Sequence, residues 1–239
     1  MKLVKTTLIA ILLLGFIFKS EAQWNFGVPN KMKYDNQIFH FGFLIGYNLF
    51  DFTIKSKADL REYDSLMIVN TSPRSGFNLG IVTNLRMGKY FDLRFIPGLA
   101  FGDRVVDYQI RYPSGEVIPT SKNIESVYLE LPLLVKFKSS RMHNTRVFVI
   151  AGAQYSLDLI SAAKKKETNP RVAYLKLYPH DALITAGAGL DFYCTYFKLT
   201  TEFKMSFGMV NLLKPEDNMF SSSVTSLKSR QIQISVIFE

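Results

Sequence analysis

The most constraining feature of the sequence is a two-residue alternation in which one row of side chains carries no charge. The stretch VYLELPLLVKF, residues 127–137, places Val, Leu and Phe at odd positions and Tyr, Glu, Pro, Leu and Lys at even positions. Successive side chains of a strand point to opposite faces, so this stretch predicts a strand with one apolar and one mixed face. Seven more segments alternate in the same way, namely 39–49, 77–87, 91–101, 147–157, 182–192, 197–207 and 230–239, so eight strands are predicted in all.

The positions of the charged residues indicate which row of each strand faces the lumen and which faces lipid. The apolar rows hold no Asp, Glu, Lys or Arg, and the opposite rows hold Arg86, Asp92, Arg94, Glu130, Lys136, Lys198, Glu202 and Lys204. An eight-stranded interior is only just wide enough for packed side chains, so the many Phe and Tyr of the apolar rows favour an outward, lipid-facing position. A strand of about 11 residues, tilted by ~40°, is roughly 27 Å tall, close to the apolar band of a membrane barrel.

We therefore predict an all-β fold, an eight-stranded antiparallel up-and-down transmembrane β-barrel. The charged residues of the opposite rows are expected to form a lumenal ion-pair network, because an unpaired buried charge is costly. A soluble periplasmic ligand-binding barrel is the less favoured alternative.

The connections between these segments alternate in length. Short ones lie at 88–89, 139–145 and 193–196, and long ones at 51–75, 103–125, 158–181 and 208–229. Barrels of outer membranes have short periplasmic turns and long outer loops, which predicts that both termini lie in the periplasm. The proline of the opening stretch, Pro132, removes one N–H from the ladder, which predicts a bulge or an unpaired carbonyl on the adjacent strand.

The first 22 residues are typical of a secretory signal peptide. Lys2 and Lys5 precede an apolar core at Leu8–Phe18, and the small residues Ser20 and Ala22 flank Glu21 just before the expected cleavage site, which follows Ala22. The core is too short for a membrane-spanning helix, which needs about 20 residues. The predicted domains are thus a signal peptide at 1–22 and an outer-membrane barrel at 23–239.

The chain is basic, with a net charge of +9, and the leader accounts for only three lysines and one glutamate. For an exported protein this charge favours acidic lipopolysaccharide, membrane lipids or an acidic protein partner over nucleic acid. The run Lys164, Lys165 and Lys166 lies in a long outer loop and is the candidate contact with a partner or with lipopolysaccharide.

No pattern typical of catalysis is present. His40, His143 and His180 lack metal-ligand spacing, Cys194 is the single cysteine, and no serine lies in a G-x-S-x-G motif. The stretch AGAGLDF lacks the third glycine of a dinucleotide-binding loop. We expect no enzyme activity, no cofactor, no metal and no small-molecule substrate.

Three stretches carry a resemblance to a known family. YLELPLL on a middle strand, AGAGLDF two strands later and SEAQ after the leader are similar to the PorT-type outer-membrane barrels of Bacteroidetes. The resemblance implies a component of the type IX secretion system, which exports proteins with a C-terminal sorting domain and, in gliding species, surface adhesins. Its partners would be other secretion-system proteins, and it implies no catalytic residues. The alternative is a general small outer-membrane barrel with a structural or solute-passage role.

Overall fold

The computed structural model describes residues 30–31, 34–56, 66–111, 117–160, 177–214 and 224–239. The predicted signal peptide and the Lys164–Lys166 run lie outside the described residues. None of the helical segments in these ranges has the length and hydrophobicity that a membrane-spanning helix requires.

Ten strand segments and one 3₁₀ turn, Tyr34–Asn36, make up the described fold. The strand segments are β1 (Phe39–Ser56), β2 (Leu66–Ser72), β3 (Arg74–Arg86), β4 (Phe91–Phe95), β5 (Gly98–Arg111), β6 (Val117–Lys138), β7 (Thr145–Asp158), β8 (His180–Tyr193), β9 (Lys198–Gly208) and β10 (Val224–Phe238).

These segments form a closed ring of eight strands. β2 continues into β3 past Pro73, and β4 continues into β5 past Ile96 and Pro97, so each pair acts as one strand. All pairings are antiparallel, and β1 closes the ring by pairing with β10 on one side and β3 on the other. The prediction of an eight-stranded antiparallel barrel is confirmed.

The apolar rows face outward. Phe41 is 66% exposed, Phe43 68% and Ile184 51%, whereas Arg94 and Lys136 on the opposite rows are fully buried. A soluble barrel would have the reverse arrangement, with its apolar side chains in the interior. The outer surface is therefore suited to contact with lipid tails, because its exposed side chains are apolar.

Several strands are longer than the alternation predicts. β1 runs to Ser56, and the β5–β6 ladder continues to the pair Arg111 and Val117, so the predicted long connections 51–75 and 103–125 were too wide. The short connections after β3, β6 and β8 are found where predicted. The difference has a physical reason: beyond the lipid band, the backbone ladder can continue without any apolar row, so the sequence signal ends before the strand does.

Pro132 lies on β6 at the point where the neighbouring strand is interrupted between β4 and β5, and the register of the pairing does not change there. β6 pairs with β7 straight through Pro132, opposite Gln154. On the other side, Ile96 donates its N–H to the Pro132 carbonyl at 3.2 Å, and Pro132 has no N–H to return. β4 and β5 break at this point, yet both keep the same register against β6. No bulge is found at Pro132, and the interruption of the ladder lies on the adjacent strand, between Phe95 of β4 and Gly98 of β5.

Candidate functional site

The lumen holds seven of the eight charged residues singled out from the sequence. Asp92, Arg94, Glu130, Lys136, Lys198, Glu202 and Lys204 are all at most 6% exposed. The eighth, Arg86, is half-buried near the end of β3, at the end of the barrel where the short turns lie. We call this end the short-turn mouth; it comprises the turns 87–90, 139–144 and 194–197 and residues 30–31 and 34–38.

Arg94 and Glu202 form an ion pair across the lumen. Arg94 Nη1 lies 2.8 Å from Glu202 Oε2, and both side chains are fully buried. Their strands, β4 and β9, are on opposite sides of the ring, with three strands between them in either direction. Glu202 also contacts Lys204, at 3.2 Å, and Glu239 contacts Lys198. Charged side chains thus connect opposite sides of the barrel interior.

A second ion pair joins β6 to β8 in the same region. Lys136 Nζ donates to both carboxylate oxygens of Asp191, at 2.9 and 2.7 Å, and lies 3.7 Å from the ring centroid of Phe148. Thr200 donates to the same carboxylate at 2.6 Å. Every strong donor and acceptor of this pair therefore has a partner, as a buried charge requires.

A third ion pair lies nearer the short-turn mouth. Lys138 Nζ contacts Asp92 Oδ1 at 2.6 Å, and Asn84 donates to the other oxygen of Asp92 at 3.2 Å. Asp191, Lys138 and Glu239 were not singled out from the sequence. All three occupy inward rows, so the alternation could have identified them; Glu239 lies one residue past the end of β10 but within the predicted strand 230–239.

Farther from the short-turn mouth, neutral polar side chains fill the interior. Gln231 on β10 donates to Glu130 on β6 at 3.0 Å, again between opposite strands of the ring. Thr185 and Ser206 share a hydrogen bond of 2.8 Å. Glu130 and Glu202 thus have separate partners and do not act as paired carboxylates. A cavity beside Glu130, Lys204 and Gln233 has a volume of about 10 Å³, which is room for about one water molecule.

The short-turn mouth is covered by the segment that precedes β1. The Asp35 carboxylate lies 3.0 Å from Arg146 Nη1 and 3.4 Å from Arg141 Nη1, and Tyr193 donates its hydroxyl to it at 3.3 Å. Arg86 donates to the backbone carbonyl of Asp35. Burial alone would raise the pKa of the Asp35 carboxyl. The attraction to Arg146 and Arg141 lowers it by more than burial raises it, so the pKa lies below its usual value.

Tyr34 occupies the mouth beside Asp35. Its ring stacks on His40 with centroids 4.1 Å apart, and His40 Nε2 donates to the Tyr34 carbonyl at 2.9 Å. Lys198 donates to the Tyr34 hydroxyl at 3.3 Å. Burial, with Glu239 nearby, raises the pKa of Tyr34 above its usual value, so this hydroxyl stays protonated.

Sequence reasoning missed most of the mouth. Arg146 is on the inward row of β7 and could have been found by alternation. Tyr34 and Asp35 lie in a segment with no periodicity, and Arg141 lies in a turn, so no sequence signal pointed to them. His143 lies in the same turn with a φ of 54°, and His180 is hydrogen-bonded to Tyr155 at 2.6 Å. In the described part of the chain no group of His, Cys, Asp and Glu could hold a metal ion.

Comparison with known structures finds small outer-membrane barrels. The N-terminal β-barrel domain of Pseudomonas aeruginosa OprF is 10% identical, with 81% of this chain and 96% of that chain covered and a TM-score of 0.32. OprG from Pseudomonas aeruginosa is 9% identical, with 84% and 91% covered and a TM-score of 0.39. Ail of Yersinia pestis, in complex with a heparin analogue, is 14% identical, with 84% and 99% covered and a TM-score of 0.36. Likenesses of this size carry no argument about function.

No curated protein matches the chain. A family model described as the outer membrane protein beta-barrel domain matches residues 22–214, which is most of the chain. The match agrees with the closed antiparallel ring and with its apolar outer surface. The chain therefore belongs to the outer membrane protein beta-barrel domain family and is an outer-membrane β-barrel protein.

Proposed function

We propose that this barrel is a component of the type IX secretion system that acts by contact with other proteins rather than by passing solutes. The observation that carries the contact role is the ion pair between Arg94 and Glu202, which spans the lumen between opposite strands. The secretion role is supported by the resemblance of YLELPLL and AGAGLDF to PorT-type barrels.

A filled lumen leaves the ends of the barrel as the working surfaces. Gln231 and Glu130 bridge the lumen at another level, and Tyr34 and Asp35 cover the short-turn mouth. We propose that this mouth and both termini face the periplasm and that the loop end faces outward, where Lys164–Lys166 would meet lipopolysaccharide or a partner. A tag fused after Glu239 would then be hidden from antibody in intact cells, and a tag beside Lys166 would be accessible.

Deletion of the gene tests the secretion role. We expect proteins with a C-terminal sorting domain to disappear from the cell surface and medium and to accumulate in the periplasm, and expression of the wild-type chain to restore their export. In a gliding host, surface adhesins and motility would be lost as well. Normal export of sorting-domain proteins in the deletion strain would contradict the proposal.

The same deletion strain distinguishes the secretion role from the alternative, a general structural barrel. If export is normal but periplasmic proteins leak and the cells become sensitive to large antibiotics, the barrel serves envelope integrity instead. If neither export nor integrity changes, both roles are wrong.

A further inference from the structure

Three arginines at the short-turn mouth converge on a single acidic residue. Arg141 and Arg146 contact the Asp35 carboxylate, and Arg86 donates to the Asp35 backbone. Among the described residues, the ion pairs of Arg141 and Arg146 go to Asp35 alone. One carboxylate does not balance this group of cations, so the mouth has an excess of positive charge suited to an acidic ligand.

The turn between β6 and β7 and the Tyr193 ring hold Arg141 in place. The Arg141 guanidinium lies 3.8 Å from the centroid of the Tyr193 ring, and it donates to the His143 carbonyl at 2.6 Å and to Asn144 Oδ1 at 3.0 Å. Contacts of this kind orient a guanidinium before a ligand arrives, which lowers the entropy cost of binding a carboxylate.

Arg146, in the same place, has a hydrogen-bond donor without an acceptor among the described residues. It is only 9% exposed, and its Nε has no hydrogen-bond partner among the residues that the structure describes. A buried N–H without an acceptor is costly, so an unused donor of this kind beside a bound carboxylate favours a larger acidic ligand than one aspartate.

The segment that occupies the mouth is not part of the barrel ladder. The backbone-to-backbone hydrogen bonds of residues 34–37 are local: Tyr34 donates to Lys31, and Gln37 donates to Tyr34. The first bond to the barrel backbone is at Ile38, whose carbonyl accepts from the Arg86 N–H at 2.8 Å. Pairing between β1 and β3 begins only at Phe39. Residues 34–37 can therefore leave the mouth without breaking any strand pairing.

We propose that the short-turn mouth is a docking site for an acidic segment of a partner protein, and that Tyr34 and Asp35 occupy it when the partner is absent. The partner would present an Asp or Glu between Arg141 and Arg146, preceded by an aromatic ring that takes the place of Tyr34 on His40. The site belongs to this chain whether or not the barrel serves secretion, because binding can be measured on the purified protein.

The tethered segment competes with any partner. A ligand on a short linker has an effective concentration in the millimolar range, so a free peptide binds the wild-type mouth weakly. Asp35→Asn keeps the shape of the side chain and removes its charge, which weakens the internal ligand while leaving all three arginines in place. This variant should open the site to a probe.

The probe is a fluorescein-labelled peptide of residues 34–38, and the control peptide carries Asn in place of its Asp. In fluorescence polarisation on the detergent-solubilised protein, we expect Asp35→Asn to bind the probe about tenfold or more tightly than the wild type does, as one charge-assisted contact predicts. Adding Arg146→Gln should abolish this gain. Adding Lys89→Gln, which removes a mouth cation that does not contact Asp35, should retain most of it.

A second measurement uses the wild-type protein, so the result does not depend on the folding of a variant. Excess unlabelled probe should displace the segment and speed tryptic cleavage after Lys31, whereas the Asn control peptide should not. Equal binding of both peptides, or no change in either experiment, would overturn the proposal. Selective binding of Asp35→Asn to vesicles containing phosphatidylglycerol, without peptide binding, would also overturn it and identify the mouth as a headgroup site.

Discussion

Arg94 on β4 and Glu202 on β9 meet across the full width of the barrel, with 2.8 Å between Nη1 and Oε2 and both side chains fully buried. An ion pair between opposite strands has two effects. It occupies the lumen, and it connects two strands that share no backbone ladder. The barrel is therefore held together by side-chain contacts across the lumen as well as by the hydrogen bonds between neighbouring strands.

Breaking one side of a buried ion pair should destabilise the barrel strongly. Lys136→Met leaves the Asp191 carboxylate with Thr200 as its remaining hydrogen-bond donor, and we expect a loss of about 3 to 5 kcal/mol in the free energy of unfolding. The double variant Lys136→Met with Asp191→Asn should lose less than the sum of the two single variants. Urea unfolding of the lipid-refolded protein measures this, and strictly additive losses would contradict the pairing.

A charge on the outer surface should cost most at the middle of the lipid band. Ala186 and Ala182 are both exposed on the outer row of β8, and Ala182 lies opposite Tyr155 near the loop end. We expect Ala186→Arg to cost about 2 to 4 kcal/mol and Ala182→Arg about 0 to 1 kcal/mol. Unfolding of both variants in lipid vesicles provides the measurement. Equal, small costs would mean that this row does not face lipid.

Gly152 should not tolerate a side chain. A Cβ at this position would collide with the backbone carbonyl of Leu133 and with the Leu134 backbone on β6, whereas a Cβ on Gly88, in the turn after β3, would meet nothing within 4 Å. We expect Gly152→Ala to cost about 1 to 3 kcal/mol, as overpacking does, and Gly88→Ala to have little effect. Thermal unfolding followed by heat-shifted gel mobility compares the two. A melting temperature unchanged in Gly152→Ala would show that the strands are farther apart.

The covering of the short-turn mouth should depend on pH. Because the pKa of Asp35 is lower in the folded protein, its contribution to docking is present above the unfolded pKa of about 3.9 and is lost as the pH falls through the lower folded value. The charged and titratable groups that face Asp35 are Arg86, Arg141, Arg146 and Tyr193. At pH 6, hydrogen exchange of residues 34–37 should be slower in the wild type than in Asp35→Asn, and this difference should shrink as the pH falls below about 3.9. Exchange equal in both proteins at pH 6 would refute this role of Asp35.

The side of each strand could be predicted from the sequence, but the partners inside the lumen could not. Alternation assigns Arg94, Lys136 and Glu202 to the interior because a strand has only two faces. Which cation meets which anion depends on strands that are not neighbours, such as β4 and β9, and so on how the ring closes. Pro132 shows the same limit, because the ladder of β6 with β7 runs through it unbroken, whereas the interruption lies between β4 and β5, where Pro97 also lacks an N–H.

The mouth was beyond prediction for a different reason. Tyr34 and Asp35 carry no periodic signal, and their position depends on the turn that contains Arg141 and on the end of β8. The ends of β1, β5 and β6 were also underestimated, because polar strands outside the lipid band lack the apolar row on which the prediction was based.

Conductance in planar lipid bilayers tests most directly whether the barrel acts by contact rather than by passage. With Arg94 and Glu202 joined across the lumen, we predict that the wild-type protein shows no discrete conductance steps, whereas Arg94→Gly with Glu202→Gly, which empties this level, shows a measurable increase. Regular, reproducible steps from the folded wild-type protein would contradict the account.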